Sequence, residues 1–566
     1  MLLFYARLAP WLISVIELAL ILLLLVFVLG GRAQSSSRDV KRIGTALARL
    51  ARRRWLSVAA VGLLVIVIRT ALIPILGIPQ PRFNDEFSYL LAGNTFAHGR
   101  VTNPPHPMWV HFESFHIIQH PTYMSMYAPA QGVVLAIGQW MGHPWIGQIL
   151  ITALMCSALC WMLQGWLPAH WALLGGILAV FRLAILSYWM NTYWSGSVIA
   201  LGGALVVGAW PRLLRRKRAR DAILLALGLV ILANSRPYEG FIFSLPFAGA
   251  MVMWLQGRRR PPLRIAVGRV VLPLVLILSA GGVCTGYYYY RVTGSPFRLT
   301  YQVNRETYAT APYFLWEKPR PEPEYHHAVM RDFYRWELTR FERERTVKGF
   351  FEAAADKLGS WWRFYLGPIL TLPLLAFPWL LRDRKMRFPL VAMGIFVLGL
   401  AVQTWTMPHY FAPATGLLYL LLLQCMRHLN VWRRHRDQMG AALVRMIPAV
   451  AVAMVVLRVS AVLLHAQIEP AWPRGNLQRA HIVQELQHMP GQHMVLVRYS
   501  AGHDVDAEYV YNAADIDSAK IVWARDMGDT QNAELLRYYA NRNVWLLEAD
   551  QPGAQAQHLR GPQSSP

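Results

Sequence analysis

Apolar runs about as long as a bilayer is thick recur along the whole chain, and compact arginine clusters separate them. A membrane-spanning helix needs about 20 apolar residues. Runs of that kind stand near 10–30, 56–78, 143–164, 171–190, 195–210, 221–234, 240–256, 268–290, 360–381, 388–406, 411–427 and 441–464. The runs at 221–234 and 240–256 are short and read as tilted or broken helices. Hydrophobic residues make up 55% of the 566 and charged residues 15%, where soluble domains run near a quarter charged. The 22 Trp, 24 Tyr and 22 Phe exclude a disordered chain. The expected fold is an all-α polytopic membrane protein of about 12 transmembrane helices with a small C-terminal α/β domain.

The formal net charge is +25, which fits either nucleic acid or an anionic membrane face. Placement decides between them. The loops 32–54, 211–220, 258–269, Arg382–Arg387 and Arg427–Arg436 hold 27 of the 56 basic residues. Positive charge marks cytoplasmic loops. Alternation then puts 79–142, 191–194, 235–239, 291–359, 407–410 and everything past 464 outside. Residues 79–142 hold two basic and three acidic side chains, and the tail eight against twelve. A nucleic-acid binder would carry its basic residues on one soluble module, and the sizeable soluble module here is acidic. No nucleic-acid partner is expected; membrane lipids are.

Three regions follow. Residues 1–54 form an anchor helix and basic cytoplasmic linker, 55–464 a transmembrane core with outer loops 79–142 and 291–359, and 465–566 a small outer domain. The first run carries its positive charge behind it and reads as an uncleaved anchor. Residues 125–141 read as a helix lying along the outer surface, and 328–357 as helical. In the tail, helices are expected at 476–488 and 530–540, and strands at Val495–Tyr499, Lys520–Ala524 and Val544–Leu547. Cys156, Cys160, Cys284 and Cys425 all fall in apolar runs, so neither a disulfide framework nor a thiolate metal site is implied.

Few ionisable residues remain in or beside the runs: Glu17, Arg69, Arg182, Arg236, Glu239, Arg363, Arg445 and Arg458. A charge deep in a bilayer is costly and usually faces a cavity or a partner. Arg69 sits mid-run. Arg445 and Arg458 can simply reach headgroups. Asn234-Ser235-Arg236-Pro237-Tyr238-Glu239-Gly240 is the tip of an outer hairpin, and irregular backbone there implies a polar cavity. Its Arg236 and Glu239 either close the turn as a pair or belong to a site. Asn84-Asp85-Glu86 offers two carboxylates at the membrane surface, suited to a general base, although a bare acidic dipeptide is also what an exposed turn carries. His106, His111, His116 and His120 with Glu113 could bind a divalent metal, at spacings that match no standard motif; interfacial histidines bonded to backbone or headgroups are the other reading.

The assembled features resemble the GT-C superfamily of membrane glycosyltransferases, in the branch that holds protein O-mannosyltransferases and the aminoarabinose transferase of lipid A. The resemblance covers about 70–460 in layout. It rests on the outer Asp85-Glu86 pair, on His120-Pro121 leading toward a surface helix, and on the turn Pro408-His409-Tyr410-Phe411-Ala412-Pro413. The chain departs from the family at 10–54, which precedes the usual first helix, and at Ala128-Pro129-Ala130-Gln131, where the family has Pro-Pro-Leu. The resemblance implies that Asp85 is the catalytic base with Glu86 its neighbour. It also implies a polyprenyl-phosphate sugar donor and a lipid, glycan or protein acceptor outside the cytoplasm.

Chemistry assigns the remaining roles. A phosphate leaving group needs donors, and Arg matches phosphate oxygens in pairs. Arg236, Arg69, His409 and Tyr410 are the candidates for the donor phosphate; Tyr89, His120, Tyr238 and Glu239 for substrate contact. The expected location is a bacterial inner membrane, multi-pass, with the C-terminal domain periplasmic. A transporter or flippase for a lipid-linked or anionic substrate is the competing function. It would want paired charges near mid-membrane and related halves, whereas no repeat is visible and the polar residues crowd one face.

Overall fold

The computed structural model describes residues 2–29, 38–258, 260–432, 439–466 and 475–562. Parts of the arginine clusters at 32–54, 258–269 and Arg427–Arg436 lie outside the described residues. All twelve apolar runs fall on helical segments. Seven segments among the described residues are long and apolar enough to cross a membrane: Arg54–Ala71, Pro144–Trp166, Gly196–Arg216, Pro237–Gln256, Leu263–Thr293, Val347–Arg382 and Met439–Leu463. Trp11–Val26, Ala169–Ala184 and Arg387–Ala401 are shorter apolar helices. Ala219–Ala233 and Thr415–Asn430 have 15 and 16 residues. The expected twelve spans thus become seven full-length segments and a set of shorter helices.

Pro144–Trp166 and Gly196–Arg216 form the hub and are enclosed by their neighbours, while few residues of Leu263–Thr293 are buried. One close approach sets the later site. A Cβ on Gly203 would stand 1.9 Å from the carbonyl oxygen of Pro413, so only glycine lets the hub helix meet the turn that carries His409.

Several segments assigned outside on charge touch one another: the Tyr193 N–H donates to Glu86 (3.2 Å), Thr122 Oγ1 to the Val292 carbonyl (2.9 Å) and Arg236 Nη2 to His409 Nε2 (2.6 Å). Ala130 N–H donates to the Asn234 carbonyl (2.9 Å), Leu315 N–H to Val402 (3.2 Å) and Thr404 N–H to Tyr313 (3.0 Å). Residues 328–357 divide into Ala328–Glu344 and Val347–Trp361, because Thr346 starts a new helix by accepting the Gly349 N–H at 3.0 Å. Within 125–141 the helix is Ala130–Trp140, and Met124–Ser125 pairs antiparallel with Ile117–Ile118.

The tail has helices Leu477–His488 and Asp529–Tyr538. Its sheet runs in the order Ile521–Arg525, His493–Arg498, Asn543–Glu548, Gln557–Arg560; the first three are parallel and the last antiparallel. The fourth strand was not expected from sequence. This unit docks on the first outer loop. Asn84 Nδ2 donates to the Val505 carbonyl (2.7 Å), Arg82 pairs with Asp504 (2.9 Å), and Tyr123 Oη donates to the Asn512 carbonyl (2.7 Å).

Candidate active site

The helix Asn84–Ala97 begins on the acidic pair, and the two carboxylates part there. Glu86 is 1% exposed. Its Oε1 accepts the backbone N–H groups of Arg82 (3.1 Å) and Phe83 (3.2 Å), and its Oε2 accepts that of Tyr193 (3.2 Å). It caps its own helix and ties it to the loop before the hub. Burial raises its pKa to about 7. Glu86 therefore holds the frame, and among the described residues all the hydrogen bonds it accepts come from backbone N–H groups. The Asp85 side chain stays 28% exposed.

Asp85 accepts a hydrogen bond from the Tyr127 hydroxyl. His116 Nδ1 stands 3.7 Å from Asp85 Oδ1. The His116 backbone takes φ +62°, and its carbonyl accepts from Ser88 Oγ (2.7 Å) and the Met126 N–H (3.0 Å). Burial holds the His116 imidazole below its usual range, against the opposing pull of Asp85. The Tyr127 ring lies flat on Tyr89, with centroids 4.3 Å apart, and Tyr89 Oη is 2.9 Å from Ser195 Oγ.

Arg236 stands across the Tyr127 ring, its guanidinium carbon 5.9 Å from the centroid. The same guanidinium covers the Tyr410 ring at 4.0 Å. Its Nη2 donates to His409 Nε2 at 2.6 Å. An arginine can only donate, so the His409 proton belongs on Nδ1, 3.1 Å from Tyr188 Oη. Burial, with Arg236 next, keeps His409 neutral, well below its ordinary pKa. Glu239 lies 3.9 Å from Arg236 Nη1 and accepts from Gln403 Nε2 at 3.3 Å. Tyr238 donates its hydroxyl to the Gly399 carbonyl at 2.9 Å. Arg236, Tyr238, Glu239, Tyr301, Tyr313 and Tyr410 line a cavity of about 100 Å³. Asp85, Tyr89, Arg236, Tyr238, Glu239, His409 and Tyr410 thus form one connected neighbourhood.

Two candidates fall outside it. Arg69 gives Nε and Nη2 to Asn191 Oδ1 (3.2 and 3.0 Å) and Nη2 to the Gly77 carbonyl (2.9 Å), and it stacks on Trp145 at 4.4 Å. It is fully buried, and these contacts join helices without touching the Arg236 cluster, while its Nη1 has no hydrogen-bond partner among the described residues. His120 meets the edge of Trp109 at 4.8 Å and touches none of the cluster. The five groups considered for a metal also disperse. His106 bonds Asp517 (3.0 Å), His116 faces Asp85, and Glu113 accepts from Tyr308 (2.8 Å) and bonds His326 (2.9 Å). Among the described residues no group of three or more His, Cys, Asp or Glu converges for a metal ion.

Sequence reasoning missed Tyr127, which ties Asp85 to the arginine side. It also missed Tyr188, which orients His409. Both are ordinary tyrosines in aromatic-rich segments, and only the fold gives them partners.

No protein-family model matches the chain, and no curated protein matches it. Solved structures do. ArnT from Cupriavidus metallidurans bound to undecaprenyl phosphate is 12% identical over 86% of this chain and 92% of its own, with a TM-score of 0.46. The same protein in the apo state is 13% identical over 86% and 93%, at 0.44. The Archaeoglobus fulgidus oligosaccharyltransferase tethered with an acceptor peptide is 12% identical over 87% and 69%, at 0.45. At such identities no residue role carries over to this chain.

Proposed function

We propose that the chain transfers a sugar from a polyprenyl-phosphate donor to an acceptor hydroxyl at the outer face of a cytoplasmic membrane, as its resemblance to GT-C glycosyltransferases implies. Asp85 takes the acceptor proton as the acceptor oxygen bonds to the anomeric carbon. The bond from that carbon to the phosphate oxygen breaks, and polyprenyl phosphate leaves with the electron pair. A single displacement of this kind inverts the anomeric centre. Arg236, desolvated and held between His409 and Tyr410, offers a fixed cation to the charge that grows on the phosphate. Because His409 is neutral, it adds no competing charge; it aims the guanidinium.

One observation carries the reading: the partly exposed Asp85 carboxylate accepts from the Tyr127 hydroxyl, and the buried Arg236 guanidinium stands 5.9 Å from the same tyrosine ring, beside a small cavity that Arg236 and Glu239 line. A base and an anion-stabilising cation at opposite sides of a reacting centre are what a displacement at a sugar phosphate requires. The direct test supplies purified protein with labelled polyprenyl-phosphate sugars and an extract of membrane acceptors. Asp85→Asn should lower transfer by about 10²–10⁴-fold with unchanged thermal stability. Full activity in that variant would remove Asp85 from the chemistry, and failure of every such donor to bind would remove the reaction class.

A further inference from the structure

Asp85 is the second residue of the helix Asn84–Ala97, and the C-terminal unit covers one side of that helix. Asn84, Phe87, Leu91 and Asn94 follow one another at helical spacing, which puts them on a single stripe. All four meet the C-terminal unit. Asn84 Nδ2 donates to the Val505 carbonyl at 2.7 Å. Phe87 stacks on Tyr511 with centroids 4.9 Å apart, and the Arg479 guanidinium stands 5.0 Å from its ring. Leu91 shares a buried cluster with Met494, Leu496 and Val522 of the sheet. Asn94 Oδ1 accepts the Ala514 N–H at 3.0 Å. Phe87 and Leu91 are fully buried, so the helix that carries Asp85 is continuous with the core of the C-terminal unit.

The first turn of the helix is clasped most closely. The Ser114 hydroxyl stands between Asn84 Oδ1 (3.4 Å) and Glu508 Oε2 (3.3 Å). Glu508 is itself fixed, accepting from Arg525 Nη2 and from the Val510 N–H, both at 2.8 Å. Arg525 Nε reaches back to the Glu113 carbonyl of the first outer loop at 2.6 Å, and the Glu508 N–H donates to the Arg82 carbonyl at 3.2 Å. Asn84, Glu508 and Arg525 are all buried, where losing a partner leaves a polar group unsatisfied. Asp85, one residue past Asn84, turns out of this clasp to accept from Tyr127. A general base tolerates little displacement, since an error of about 1 Å can lower a rate about 10²-fold. We propose that Asn84 is a positioning residue for the transfer reaction: through Val505 and Glu508 the C-terminal unit fixes the first turn of the helix and sets the Asp85 carboxylate against Tyr127. The inference rests on Asp85 as the base. It gives the C-terminal unit a part in the chemical step as well as in the fold.

Full-length wild type, Asn84→Ala, Asp85→Asn and the double variant are compared for transfer from the labelled undecaprenyl-phosphate sugar that the wild type turns over fastest, with the membrane extract as acceptor. Folded protein is quantified in each sample. Asn84→Ala should lower kcat about 10- to 100-fold and leave the KM for the donor unchanged. In the Asp85→Asn background the same substitution should change the residual rate by less than about twofold, because a residue that acts through Asp85 then has nothing to position. A purely structural Asn84 would reduce the amount of folded protein and leave kcat per folded molecule intact; that result overturns the inference, and so does a full Asn84 effect in the Asp85→Asn background. Ser114→Ala removes only the bridging hydroxyl and serves where Asn84→Ala does not elute as a folded protein; it should lower kcat about fivefold at unchanged KM, and an unchanged kcat there also overturns the inference. The two failures differ. Full activity in Asp85→Asn removes the base and the positioning role with it, as does a wild type that transfers no sugar, whereas an impaired Asp85→Asn beside a fully active Asn84→Ala removes the positioning role alone.

Discussion

Replacing Glu86 by Gln separates framework from chemistry at adjacent residues, and its pH dependence follows from the structure. In the folded protein the buried Glu86 carboxyl titrates near 7, against an ordinary value of 4.5. The unfolded chain releases the proton above about 4.5, while the folded chain keeps it until about 7. Between those values the folded state binds more protons, so stability falls as pH rises, and above 7 the loss is complete. The shift of about 2.5 units at 1.36 kcal/mol each amounts to about 3 kcal/mol. Gln cannot ionise and still offers one oxygen to the Arg82 and Phe83 N–H groups. The assay is the thermal midpoint of purified protein at steps from pH 4.5 to 8. The wild-type midpoint should drop across that window relative to Glu86→Gln, whose profile should be flatter by the Glu86 share. Glu86→Ala should be destabilised by about 3 kcal/mol or more, because the N–H groups of Arg82, Phe83 and Tyr193 lose their acceptor. Parallel profiles for wild type and Glu86→Gln would refute both the buried titration and the framework role.

Three further substitutions probe the rest of the site. Tyr127→Phe removes the hydroxyl donor to Asp85; with charge-assisted bonds worth about 1.5–3 kcal/mol, transfer should fall roughly 10- to 100-fold, whereas unchanged transfer would detach Tyr127 from the base. Arg236→Lys keeps the charge but loses the planar fork, so donor affinity should fall at least about tenfold in a binding assay, and equal affinity would take Arg236 out of the phosphate site. Arg69→Ala should lower the thermal midpoint, since it leaves Asn191 and the Gly77 carbonyl without their donor, while donor affinity in the folded fraction stays the same; a selective loss of donor binding would restore Arg69 to the site.

Much of the architecture was legible because a bilayer imposes simple rules. Apolar length marked the helices, and arginine placement grouped the connections; several of the segments so grouped touch, as the Glu86–Tyr193 and Arg236–His409 bonds illustrate. The turn around His409 was legible because prolines at 408 and 413 restrict it. What stayed hidden depends on direction and partners. Asp85 and Glu86 are identical in kind to a reader of sequence, yet the first turn of a helix sends one toward Tyr127 and the other into its own cap. Arg69 and Arg236 both looked like buried cations awaiting an anion, but Asn191, more than a hundred residues away, claims the first. The strand Gln557–Arg560 has an exposed, polar sequence, and only its pairing with Asn543–Glu548 makes it a strand.

The central claim is that Asp85 opens toward the outer side of the membrane while the arginine-rich loops stay inside. Cysteine at position 85, introduced with Cys284→Ser, reports on it directly. Cys156, Cys160 and Cys425 are buried, and only Cys284 is exposed. A membrane-impermeant maleimide added to sealed spheroplasts should label position 85 and leave a control cysteine at Arg216 unlabelled until the membrane is opened. Labelling at 85 only after opening, with Arg216 reactive from outside, would contradict the account.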